Sequence, residues 1–357
     1  MSSFHSLPKQ VAEELRGHLI RGRWVNLMPG REKLAKELGV CGKTVEMAMN
    51  ILENEGILIA NGHGKRRGIN VAKTYSSPSS LKLSVLLYER ADASLDYMVE
   101  IRHQLLKSGH TVDFHDKSLA DLQMSVPRIE SLVKKSNSDA WIIASGAREV
   151  LEWFSQQKIP AFALSGRRTG LSIAGIAPDK KSAYSTAIKR LVSLGHKRIV
   201  LLMRSQHRYP NPSLIAKHFL SELKSNNLSI GPYNLPNWDD NVEDFYNCLE
   251  SLYQSTPPTA LIAAESYLFH STRYYLAQRG LLTPKHVSLI CTDPDPNFRW
   301  CIPSIAHINW NTTPVVNGVV RWANAISKGR PYQRFTYTKA IFVDGGTVGP
   351  ANTILVA

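Results

Sequence analysis

Lys43, Thr44, Glu46, Met47 and Asn50 share one side of a short helical stretch whose other side is apolar. Side chains of this size and polarity, carried on the opening turns of a helix, can reach base edges and phosphates in a DNA major groove. Farther on, His63-Gly64-Lys65-Arg66-Arg67 occupies the tip of a glycine-flexed hairpin, where three successive cations suit a phosphate or minor-groove contact. Arg31 adds a nearby cation as a phosphate ligand.

The elements that must position these groups are legible around them. The helix opening near Cys41-Gly42-Lys43-Thr44 puts Val45, Ala48, Met49 and Leu52 at i, i+3, i+4 and i+7, one buried stripe. Before it, Pro29-Gly30 starts a helix with Leu34, Ala35 and Leu38 on one face, and Gly39 ends it. An earlier helix from Pro8 to Arg21 carries Val11, Leu15, Leu19 and Ile20 and packs behind the pair. After Gly56, Ile57–Ala60 reads as a strand and Gly68–Val71 as its return. Met28 to Val71 is therefore a complete winged helix-turn-helix, and double-stranded DNA is the expected partner.

Residues 8 to 71 resemble the gluconate-repressor (GntR) type of DNA-binding domain. Met28-Pro29-Gly30-Arg31-Glu32-Lys33-Leu34-Ala35 echoes that family's second helix, and Val40 to Ala48 with Leu52-Glu53-Asn54-Glu55-Gly56 echoes its recognition helix. The departures are equally specific. Cys41-Gly42 stands where the family has serine-arginine, Glu46 stands where a basic residue is common, and Arg31-Glu32 inverts the usual order. Lost arginines remove guanine readers, so the operator cannot be inferred from relatives; the resemblance leaves Lys43, Thr44 and the wing tip as expected contacts.

The chain has 357 residues and 43% apolar content, enough for two or three buried cores. Its net charge of +14 fits nucleic-acid binding, and equally a membrane-surface or anionic-ligand protein. About five of the surplus positive charges fall in the first 75 residues. Cys41, Cys248, Cys291 and Cys301 form no Cys-x-x-Cys pair and have no histidine at metal spacing, so reduced thiols and no metal or other cofactor are expected. With no apolar export signal and no membrane-length apolar run, a cytoplasmic location follows as the expectation.

Ser76 to Ser80 is the best linker candidate, which divides the chain into a head at 1–75, a linker at 76–82 and a larger region at 83–357. In that region Leu83–Tyr88, Ala140–Ala144, Ala161–Leu164, Ile199–Met203, Ala260–Ala263 and Val287–Cys291 are strand-like, and Ser182–Leu194 and Ser266–Gln278 are helical. This alternation predicts an α/β fold of two doubly wound, mostly parallel lobes. Gly195-His196-Lys197-Arg198 reads as a helix stop followed by a buried strand, with the cations at the helix's negative end and His196 structural rather than catalytic. Reversal of the chain there suits a crossover between lobes.

Four phrases resemble the effector domain of the lactose-repressor (LacI) family, which has the type-I periplasmic-binding-protein fold. They are Ser193 to Ile199, Pro258 to Ala264, Gln278 to Ile290, and Phe342 to Pro350, the last resembling the tail of regulators that join a GntR-type head to this domain. The resemblance implies a dimeric transcription regulator, a repressor, with a carbohydrate-like effector bound near the carboxyl ends of strands. Tyr88, Arg90, Arg204, Glu265 and Asp293 follow such strands, and Trp300 offers a ring for stacking on a sugar. The pattern also breaks here: Leu214 to Phe219 lacks the arginine that precedes a glycine-phenylalanine pair in sugar-binding relatives, and Glu265-Ser266 replaces asparagine-aspartate. A modified or charged sugar, or no effector, therefore stands beside a simple hexose.

Two other classes compete. A sugar-binding module without gene control would leave the head unexplained. An enzyme would need chemistry that the sequence does not spell: there is no Gly-x-Gly-x-x-Gly, no phosphate-binding Gly-x-x-x-x-Gly-Lys-Ser/Thr and no Gly-x-Ser-x-Gly. Asp293 and Asp295 alternate with Pro294 and Pro296, which suggest a rigid loop more than an acid-base pair.

Overall fold

The first three helices are α1 (Leu7–Ile20), α2 (Arg31–Leu38) and α3 (Gly42–Asn54), and a small antiparallel ribbon follows, β1 (Leu58–Ile59) with β2 (Gly68–Ile69). In this computed structural model residues 6–20, 23–62, 65–70, 80–209 and 211–352 are described. Expectations for His63, Gly64, Val71 and the linker at 76–79 lie outside the described residues.

Apolar periodicity makes the head. Val11, Leu15 and Leu19 of α1, Leu34 of α2, and Val45, Ala48, Met49 and Leu52 of α3 close over one another, with Met28 and Ile57 completing the core. Gly39 ends α2 at φ +66, a left-handed conformation that costs other residues about 1 kcal/mol or more. That turn lets α3 start three residues later. Arg16 ties α1 to the end of α3, its Nη2 donating to Glu55 Oε2 at 2.6 Å and its Nη1 paired with Glu13 at 2.5 Å. One expected orientation is corrected. Thr44 faces inward at 9% exposure, its hydroxyl 3.1 Å from Cys41 Sγ, because the side chain folds back over the helix start instead of standing out.

The described chain divides into two compact units. The first runs to Gly175 and includes Val316–Phe335; the second is Ile176–Val315 with the residues from Thr336 onward. The chain passes from one to the other at Gly175, at Val315 and at Phe335, not at Gly195–Arg198. Gly195 (φ +88) ends a helix and feeds a strand of the same unit, and Arg198 donates to Pro257 O at 2.6 Å rather than meeting the end of the preceding helix.

Within the first unit β3 (Lys82–Leu86), α4 (Asp96–Lys107), β4 (Thr111–Phe114), α5 (Val126–Lys135), β5 (Ala140–Ala144), α6 (Arg148–Ser155) and β6 (Ala161–Leu164) alternate. The strands pair in parallel in the order β4-β3-β5-β6, with Leu83 opposite Ala140 and Ile142 opposite Phe162. β7 (Ala174–Asp179) then leads into the second unit.

There α7 (Lys181–Ser193), β8 (Ile199–Leu202), α8 (Leu214–Ser225), α9 (Val242–Ser255), β9 (Ala260–Ala263), α10 (Ser266–Gln278), β10 (Ser288–Cys291) and β11 (Ala306–Trp310) follow. β8, β9, β10 and β11 are parallel neighbours, and β12 (Phe335–Val343) closes antiparallel on β11. Strand alternation explains the double winding. Ile199, Leu201, Ile262 and Ile290 point to one layer with α7 and α8. Val200, Leu202, Leu261, Leu289 and Cys291 point to the other with α9 and α10. The fold is thus α/β with mostly parallel sheets covered on both faces. α11 (Thr313–Ile326) precedes β12.

Candidate functional site

On the head, α3 shows its outer side through Lys43, Met47 and Asn50, all exposed, with Glu46 half-buried between them. Arg31, the first residue of α2, lies across the start of α3: a Cβ added at Gly42 would sit 3.3 Å from its Nε. Its guanidinium also holds Glu32 at 2.8 Å, an exposed pair worth little. Lys65 and Arg66 stand exposed at the ribbon tip, where Asn61 Nδ2 donates to Arg66 O at 3.0 Å.

Arg67 departs from the expectation of a third free cation. Its guanidinium turns back onto α3, with Nη2 donating to Glu46 Oε1 at 2.7 Å and to Asn50 Oδ1 at 2.6 Å, and Nε donating to Glu53 Oε2 at 2.9 Å. Two carboxylates two turns apart on one face of α3 draw it there, and only 17% of its side chain stays exposed. The bonded guanidinium in turn holds the Glu46 carboxyl below its usual range.

Among the residues expected to meet a small ligand, Tyr88 and Arg90 belong to the first unit. Tyr88 is buried just past β3, and Arg90 is exposed, its Nε donating to Asp121 Oδ2 at 2.8 Å. That bond, with two from Ser118, holds the Asp121 carboxyl down to about 2.

Arg204, Glu265 and Asp293 come together in the second unit, at the carboxyl ends of β8, β9 and β10. Arg204 is 4% exposed, its Nε 3.6 Å from Glu265 Oε1, and its guanidinium lies 4.7 Å from the ring centre of Tyr267. Glu265 Oε2 is sealed and accepts no hydrogen bond among the described residues. Burial pushes this carboxyl up to about 7, against the pull of Arg204. Asp293 pairs with Lys180 Nζ at 2.5 Å and accepts from Trp310 Nε1 at 3.4 Å. Buried Tyr184 lies close by, its hydroxyl kept protonated by desolvation. The cluster alternates donors and acceptors, an arrangement that can grip vicinal hydroxyls.

Lys180, Tyr184, Tyr267 and Trp310 were not among the expected residues. Lys180 and Trp310 sit at the ends of β7 and β11, strands without a distinctive apolar run, so the rule that ligands collect at strand ends had nothing to mark them. Trp300 is placed at the surface. The proline-bracketed loop runs into a short 3-10 turn, Pro296–Trp300, that leaves its ring 75% exposed with Arg299 5.0 Å from its centre. Asp295 accepts from Asn297 N at 2.8 Å, so it caps that turn instead of partnering Asp293. His196 is structural, 1% exposed, its ring bonded to Thr259 Oγ1 at 3.0 Å and Gly349 O at 2.9 Å. Among the described residues no group of three or more His, Cys, Asp or Glu could hold a metal ion, and no helix is long and apolar enough to cross a membrane.

Residues 188–337 match the periplasmic binding protein-like domain. Solved structures share the fold. A LacI-family transcriptional regulator from Enterococcus faecium with bound ribose superposes with a TM-score of 0.61 at 16% identity, covering 76% of this chain and 100% of that one. The transcriptional regulator CelR in complex with cellobiose gives 0.61 at 13% identity, covering 90% and 100%. The lac repressor dimer bound to operator and an anti-inducer gives 0.59 at 17%, covering 78% and 98%. No curated protein sequence matches the chain.

Proposed function

We propose that this protein is a sequence-specific DNA-binding transcriptional regulator, a dimeric repressor whose operator affinity is set by a carbohydrate-like effector. Its head works as a winged helix-turn-helix of the GntR type: α3 enters the major groove, and Lys43, Arg31, Lys65 and Arg66 take phosphates. The observation that carries this reading is a small, independently cored head presenting a polar helix face, joined to a domain whose fold is shared with regulators described as holding ribose or cellobiose.

The effector would lie against Lys180, Arg204, Glu265 and Asp293, with hydroxyls bridging their donors and acceptors. Two-fold symmetry places half-sites one DNA turn, or a multiple, apart. A gel-shift assay of the protein on its own upstream DNA tests the reading, with a specific complex expected at moderate salt. Lys65→Ala and Arg66→Ala should each lower the slope of log affinity against log salt by about 0.9 while leaving the fold intact. No specific complex would leave a sugar-binding module without gene control.

A further inference from the structure

The Arg67 cluster has a polarity opposite to that of a phosphate clamp. A cation that grips the DNA backbone must be available to it, and those of Lys65 and Arg66 are exposed. Arg67 is 17% exposed, whereas Glu46, which it holds, is 38% exposed. Arg67 is set against both Glu46 and Glu53, with Arg31 a second cation acting on Glu46, and the more exposed member of the pair that Arg67 makes with Glu46 is the carboxylate. Arg67 occupies Glu46 Oε1, and Oε2 has no hydrogen-bond partner among the described residues. Asn50, an exposed residue, gives its Oδ1 to the same guanidinium, which leaves its Nδ2 available as a donor.

We propose that Arg67 is a positioning residue for base recognition: from the wing it fixes Glu46 as an acceptor and Asn50 as a donor on the outer face of α3. This rests on the DNA-binding role proposed above. An ionised carboxylate accepts from the cytosine N4 amino group and finds no donor on guanine's major-groove edge. Asn50 already accepts from Arg67 with its oxygen, so it meets a base with Nδ2; guanine offers two acceptors there, O6 and N7, where adenine offers N7 beside a donor. The half-site should therefore hold a cytosine under Glu46 and a guanine one helical turn along the face, under Asn50.

The test uses the full-length protein, an operator selected from randomised duplexes, and every single-base-pair variant of its half-site, each titrated over a range of salt. Wild type should prefer one C·G pair by on the order of 10-fold or more, and Glu46→Gln should erase that preference at that position alone. Arg67→Ala should weaken discrimination at the Glu46 and Asn50 positions together while the salt slope stays unchanged, unlike the Arg66→Ala slope. Arg67→Lys keeps the charge without the fork, and should retain the Glu46 preference while losing that of Asn50. Thermal melting of each variant identifies any that fail to fold, in which case the Glu46→Gln and Arg67→Lys patterns decide. Uniform weakening across all sequences with a slope lowered by about one makes Arg67 a phosphate contact and overturns the proposal alone. A wild type that selects no operator overturns the DNA-binding reading with it.

Discussion

Glu265 keeps a carboxylate where its surroundings disfavour charge. Its folded-state pKa, pushed up to about 7 by burial, lies above the ordinary 4.5. The unfolded chain therefore releases its proton first as pH rises. The stability contributed by the protonated form is complete below about 4.5 and is lost as pH climbs to about 7. Glu265→Gln should remove this loss, so that the variant gains roughly 3 kcal/mol over wild type at pH 8 and little at pH 4.5, read from denaturant melts at both values. Parallel profiles would show that Oε2 is hydrated. His196 acts in the opposite direction. Burial lowers its pKa below 6.5, so the stability that its neutral ring supports is full above 6.5 and declines as pH falls further. His196→Gln should flatten the acid limb of the melting curve. At this scale sequence and structure part over Thr44 and Arg67: helical spacing assigns each to solvent, and a nearby hydrogen-bonding partner overrides the spacing.

Elements were legible where burial was one-sided and continuous. The α3 stripe Val45, Ala48, Met49 and Leu52 is buried as its spacing implies, and β5, β6 and β9 begin and end where their apolar runs do. The strands that escaped notice had mixed composition for a physical reason. β4 (Thr-Val-Asp-Phe) alternates polar and apolar residues with no fully buried side chain, and β12 alternates as an antiparallel closing strand. β7 contains glycine and proline, and Gly175 is required there because an added Cβ would collide with Ala163 O and the Phe335 ring. The head's core uses only head residues, which has a measurable consequence. Leu52→Ala, at a fully buried site, should cost the head about 3 kcal/mol and abolish DNA binding. The melting transition of the second unit should stay in place. Gly39→Ala should cost about 1 kcal/mol through its positive φ alone, since open space surrounds the added methyl. If both variants shifted every transition equally, the head would not be an independent cooperative unit.

At the scale of the whole chain, a net charge of +14 spread beyond the head gives long-range attraction to any polyanion. It does not choose a sequence. On the function proposed above, choice would require the α3 face, and control would require that a ligand bind the DNA-competent and DNA-free states unequally. The cluster around Asp293 supplies groups whose pairing a ligand would change: Lys180 and Arg204 each already hold a carboxylate, so incoming hydroxyls must replace those bonds and release or retain the strands' end loops. Binding linkage then requires that an effector altering operator affinity by some factor have its own affinity altered by the operator by the same factor. A thermal-shift screen over mono- and disaccharides should find a stabilising ligand, and titrating that ligand with and without operator should give dissociation constants differing by about 5- to 150-fold. The reciprocal operator titration must return the same ratio. Asp293→Asn should abolish the ligand-induced shift while preserving the ligand-free operator complex, because the head's contacts are untouched. Loss of both together would instead place Asp293 in the fold's stability, and a ligand with equal affinity in both titrations would be cargo without control.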